Sequence, residues 1–128
     1  MWEVYVTDVK DVRAYSITKK AVQGVNVKYL LHKGNGATLQ LRLFTIEVGG
    51  YTSAERHAHE HEVFVLRGNA VVKGDRIKAE IQPGSVVFIP AFEEHQFVNV
   101  GSEPVEFLCT KDTRDARNTN SSFVRARG

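Results

Sequence analysis

Three histidines stand within five residues: His57, His59 and His61, in the stretch Glu55-Arg56-His57-Ala58-His59-Glu60-His61-Glu62. A fourth, His95, follows after a run of alternating apolar residues, and the chain holds only five histidines. Imidazole is the commonest protein metal ligand. A dense His/Glu cluster and one distant His are what a rigid scaffold needs to hold a divalent ion. The chemistry expected of these residues is that of a metal centre.

The elements that must position them read as short strands. Val25 to Leu31, Leu39 to Glu47, Thr52 to His57, His61 to Leu66, Ala70 to Lys73, Arg76 to Ile81, Val86 to Ile89, His95 to Val100 and Val105 to Lys111 are rich in apolar and β-branched residues. Turn residues separate them: Gly34-Asn35-Gly36, Gly49-Gly50, Gly68-Asn69, Gly74-Asp75, Pro83-Gly84 and Gly101 to Pro104. Eight or more short strands at this spacing, with no helical run, predict an all-β sandwich or barrel. Residues 1–14 could add an edge strand or arm. The polar stretch 112–128 reads as a mobile or partner-contacting tail.

Composition narrows the class. With 128 residues, 42% hydrophobic and 25% charged, the sequence predicts one globular domain spanning 1–128. No apolar run approaches the roughly 20 residues of a membrane span, and no secretory signal is visible at the N-terminus. Cys109 is the only cysteine, so no disulfide can close within the chain, and a cytoplasmic location is expected. The net charge of +2 is scattered, and no nucleic-acid-binding motif accompanies it. Neither nucleic acid nor membrane is expected as a partner. Ser-His-Asp, P-loop and dinucleotide patterns are not visible.

Two spacings point to a family. The first is Gly49, five residues, Glu55, one residue, His57, three residues, His61, six residues, Gly68. The second is Gly84, five residues, Pro90, one residue, Phe92, two residues, His95, three residues, Asn99. They resemble the two cupin signatures, Gly-x5-His-x-His-x3-4-Glu-x6-Gly and Gly-x5-Pro-x-Gly-x2-His-x3-Asn. The resemblance covers about residues 39–111 and implies a double-stranded β-helix, or jelly-roll barrel, of two facing sheets. It departs at three places: Glu55 stands where the first His is usual, His61 where the Glu is usual, and Phe92 where the second Gly is usual.

The resemblance implies one divalent transition metal per chain, held by His57, His61 and His95 with Glu55 as fourth ligand. In that register His59 falls in the turn and is expected to be an exposed loop residue near the mouth. Nitrogen and oxygen donors suit Mn, Fe, Ni, Zn, Co or Cu. Two open positions would admit water, O2 or a chelating substrate. Strand parity offers Phe97, and the pairs Phe107/Cys109 and Arg42/Phe44, as pocket residues; parity alone leaves open whether Arg42 and Phe44 face inward. If it does, Arg42 is the natural anchor for a substrate anion. The function so implied is metal-dependent chemistry on a small organic molecule, with dioxygenase-type oxidation favoured. An isomerase or lyase, and a non-catalytic binding module, are the alternatives. A homodimer is expected.

Overall fold

The computed structural model describes residues 3–114. Within them are nine strands: β1 Ala14–Ser16, β2 Gln23–Leu31, β3 Leu39–Tyr51, β4 His61–Arg67, β5 Ala70–Lys73, β6 Lys78–Ile81, β7 Val86–Ile89, β8 Gln96–Asn99 and β9 Val105–Asp112. Short 3-10 turns lie at Val9–Asp11 and Lys33–Asn35, and among the described residues no helix is long and apolar enough to cross a membrane. The expected all-β cupin architecture is present. The strands form one curled, antiparallel sheet in the order β6-β5-β8-β3-β9-β4-β7, with β2 and β1 attached to β3. Among the described residues of the arm expected from 1–14, no strand precedes Ala14. Residues 1, 2 and 115–128, including most of the expected tail, lie outside the described residues.

Period-two patterning decides which side chains meet. In β9, Val105, Phe107 and Cys109 are buried; in β4, His61, Val63 and Val65 are buried while Phe64 and Leu66 face out. The inward rows meet in one core with Ile46, Ile89 and Phe97.

Two strand expectations are corrected. β3 runs on through Gly49-Gly50 instead of stopping there. Gly49 takes a φ of +80°, and the register to β2 shifts between Val25/Ile46 and Gln23/Tyr51. A Cβ on Gly50 would meet the Gln23 carbonyl at 2.6 Å. These glycines permit an irregularity and a close backbone approach. The strand expected over Thr52 to His57 is a single bridge, Glu55 to His95. Pro83-Gly84 is the tight turn expected: Ser85 N donates to Gln82 O at 2.8 Å, and Gly84 has a φ of +93°.

Asn99 explains the end of the second signature. Its amide donates to Ile46 O and Glu103 O, and its oxygen accepts from Gly101 N, each at 2.9 Å. It ties β8 to β3 and to the turn before β9. Asn99→Ala is expected to lower stability by about 2 kcal/mol, because buried backbone groups lose their partner. Urea unfolding checks this, and a change near zero would remove the cross-tie.

Candidate metal centre

The turn after β3 and the start of β8 carry the site. Glu55 N donates to His95 O at 3.0 Å and His95 N to Glu55 O at 2.8 Å, so the two signatures are clasped backbone to backbone. Phe92 N donates to His57 O at 2.6 Å. His61 then opens β4.

Four imidazoles gather there. The ring centroid of His57 lies 4.9 Å from His59, 5.5 Å from His61 and 5.3 Å from His95. His61 is 4.9 Å from His59 and 5.3 Å from His95. Candidate ligand atoms of His57, His59 and His61 lie within 4.8 Å of one another. Glu55 Oε1 is 3.0 Å from His57 Nε2, about the separation of neighbouring ligands on one ion with bonds near 2.1 Å.

The expectation for His59 is overturned. It is 7% exposed, stacked on His57, and its Nδ1 is buried with no hydrogen-bond partner. The strand break at the Glu55 bridge lets the turn fold inward. The signal was present: His57, His59 and His61 alternate, and three such residues share a face in any extended segment.

The protonation states leave the rings able to ligate. Burial pushes His59 down to about 3, aided by Lys111, His57 and Arg42, and pushes His61 down to about 2, aided by Arg42 and His59. Burial also lowers His95, partly offset by its bond to Glu93. These imidazoles are neutral at ordinary pH and keep a lone pair for an ion. Glu55 is held well below the usual carboxylate range by hydrogen bonds from His57, Lys19 and Ser53, against its burial.

Wiring differs among the rings. His95 Nδ1 lies 2.9 Å from Glu93 O, so Nδ1 donates and Nε2 is free to ligate, the usual arrangement around a metal. His61 Nδ1 lies 3.3 Å from Arg42 Nη2 and 3.5 Å from Cys109 Sγ. A guanidinium only donates, so the tautomer that frees Nε2 is the one whose Nδ1–H turns to the sulfur. With that tautomer the donor set fits a divalent ion: imidazoles and one carboxylate, gathered within reach of one another.

A cavity of about 210 Å³ opens over the cluster. Arg42, Phe44, Phe97, Phe107 and Cys109 all line it, with Glu55, His57, His61 and His95. Arg42 and Phe44 therefore face inward, which parity alone left open. Phe97 stacks on Phe107 at 4.7 Å, and Phe107 on Phe44 at 5.4 Å, making one continuous aromatic wall. Arg42 lies 5.0 Å over the Phe44 ring and donates to Cys109 Sγ at 3.2 Å. Burial pushes the Cys109 thiol up, against the nearby Arg42. Phe92 takes a φ of +69° in its turn and does not line the cavity. Sequence reasoning missed Lys19 and Ser53, which hold Glu55. Neither lies in a signature, and only the fold brings them there.

A curled antiparallel barrel with a histidine cluster at the floor of its cavity is the arrangement of a cupin. Residues 42–111 match the cupin domain family, and the chain belongs to it. It is 34% identical over 99 residues to 1-methylthio-D-xylulose 5-phosphate methylsulfurylase of Rhodospirillum rubrum, covering 77% of this chain and 64% of that protein. Among solved structures, the polyketide cyclase RemF from Streptomyces resistomycificus superposes with a TM-score of 0.81 at 25% identity, covering 87% of this chain and 80% of the other. A cupin 2 conserved barrel domain protein from Rhodopseudomonas palustris gives 0.71 at 31% identity, covering 80% and 72%.

Proposed function

We propose that the chain is a metal-dependent enzyme that acts on a small organic molecule bound in the barrel cavity. One observation carries the reading: three imidazoles and one carboxylate line a cavity otherwise walled by stacked aromatic rings, with a fourth imidazole, His59, packed behind them. His57, His59, His61 and His95 would hold the ion, with Glu55 beside His57. A bound divalent ion would polarise a substrate oxygen as a Lewis acid. Phe44, Phe97 and Phe107 orient the apolar body of the ligand and exclude water. Lys19 and Ser53 hold Glu55 against His57, which fixes that ring.

Polyketide cyclase and methylsulfurylase, the activities named among the similar proteins, are not oxygenase names. This supports non-oxidative chemistry at a carbonyl or enol oxygen ahead of the dioxygenase-type oxidation that the sequence favoured.

The test begins with elemental analysis of protein purified without added metal. Mn, Fe, Ni and Zn forms are then incubated with hydroxyacetone in deuterium oxide, under argon and under air. Metal-dependent exchange of the carbon-bound hydrogens, read by proton NMR under argon, is the expected result. Oxygen uptake without exchange would restore the oxidative reading. Tight ligand capture with neither would make the protein a binding module.

A further inference from the structure

The inward row of β9 does not stop at Cys109. Alternation puts Lys111 on the same face as Val105, Phe107 and Cys109, and it is partly buried there. The ladders give its neighbours. β3 sets Arg42 opposite Cys109 and Gln40 opposite Lys111. β4 sets Glu62 opposite Thr110, so one further step along that ladder brings His61 beside Lys111. His59 stands edge-on to His61. Two cationic side chains and two buried imidazoles therefore meet at one corner of the barrel interior.

Among the described residues no negative charge answers them. Among the described residues, none of the four has a carboxylate within ion-pair distance. Glu55, the one carboxylate lining the cavity, is already held by Lys19, Ser53 and His57. Two polar atoms in this corner are buried without a hydrogen bond: Arg42 Nε and His59 Nδ1. The first is always a donor, and the second is a donor in one neutral tautomer. Buried donors left without an acceptor are costly, and like charges with no counter-charge more so.

We propose that the Arg42–Lys111–His59 corner binds an oxyanion, the carboxylate, phosphate or sulfate group of a small molecule. Arg42 Nε and the Lys111 ammonium supply two charged donors, and His59 Nδ1–H supplies a third. Arg42 lines the cavity whereas Lys111 and His59 do not, so Arg42 is the member that links this corner to the cavity. The site stands beside the metal reading and requires no turnover.

Thermal melts of the metal-loaded protein in sodium sulfate, against sodium chloride at equal ionic strength, test it. A saturable rise in midpoint specific to sulfate is expected. Lys111→Met should weaken the apparent affinity about tenfold or more, the loss of one charged hydrogen bond, whereas Lys111→Arg should keep it. Metal content is measured on the same samples and should not change. An absent sulfate response, or the same response in Lys111→Met, overturns the proposal; so does loss of metal in parallel with the anion. Propanoate in a second series identifies the source. Tighter binding than sulfate means an acid group reaching in from the cavity, and weaker binding means a free inorganic oxyanion.

Discussion

His57→Ala is expected to abolish stoichiometric metal binding while leaving the barrel folded. His57 is the hub of the cluster: its ring neighbours His59, His61 and His95, and its Nε2 lies 3.0 Å from Glu55. Its side chain is 23% exposed, so truncation leaves a solvent-accessible gap and a modest stability cost. Loss of a ligand should exceed the roughly 10- to 100-fold weakening that follows loss of a residue that only supports a ligand. His59→Ala should now also weaken the metal by at least about tenfold, because the ring is buried in the cluster. The sequence alone placed His59 in an exposed turn, where its loss would cost far less metal than that of His57. Elemental analysis after dialysis against a chelator, with circular dichroism to confirm the fold, decides between them. A His57→Ala protein that keeps one ion per chain would remove the cluster from metal binding.

Phe107→Ala is expected to cost roughly 3–5 kcal/mol, the usual range for emptying a buried aromatic site. The residue is 2% exposed and stacks on both Phe44 and Phe97. Its removal takes the middle ring out of a three-ring wall and joins the void to the cavity. The thermal midpoint should fall by roughly 10 °C or more. Urea and thermal unfolding measure this, and a loss under about 1 kcal/mol would show that the ring is not a structural member.

Much of the barrel was legible because half-buried strands write their faces into the sequence. Ala70–Lys73 and Val86–Ile89 fall where the apolar runs are, and the ends of the other late strands move by only one or two residues. What failed was punctuation. Gly49-Gly50 reads as a stop, yet the chain passes through it because β2 remains available as a partner. Thr52 to His57 reads as a strand but forms a β-bridge at one residue only. The site shows the same division. Glu55, His57, His61 and His95 stand at signature spacings and do meet. The inward turn of His59 depends on where the strand breaks, a tertiary matter. Lys19 and Ser53 lie outside any pattern, and no local rule could have placed them beside Glu55.

The paired hydrogen bonds between Glu55 and His95 have a kinetic consequence. They join the two segments that carry the donors at the level of the main chain, before any side chain binds. The clasp itself uses no metal bond, so loading adds little main-chain ordering cost. For the same reason an ion cannot be released by sliding one segment past the other; it must leave through the cavity while the clasp stays shut. Residence time is then governed by side-chain rotation and solvent access rather than by barrel opening. The amide protons of Glu55 and His95 will exchange with solvent as slowly as those of the core strands, in loaded and unloaded protein alike.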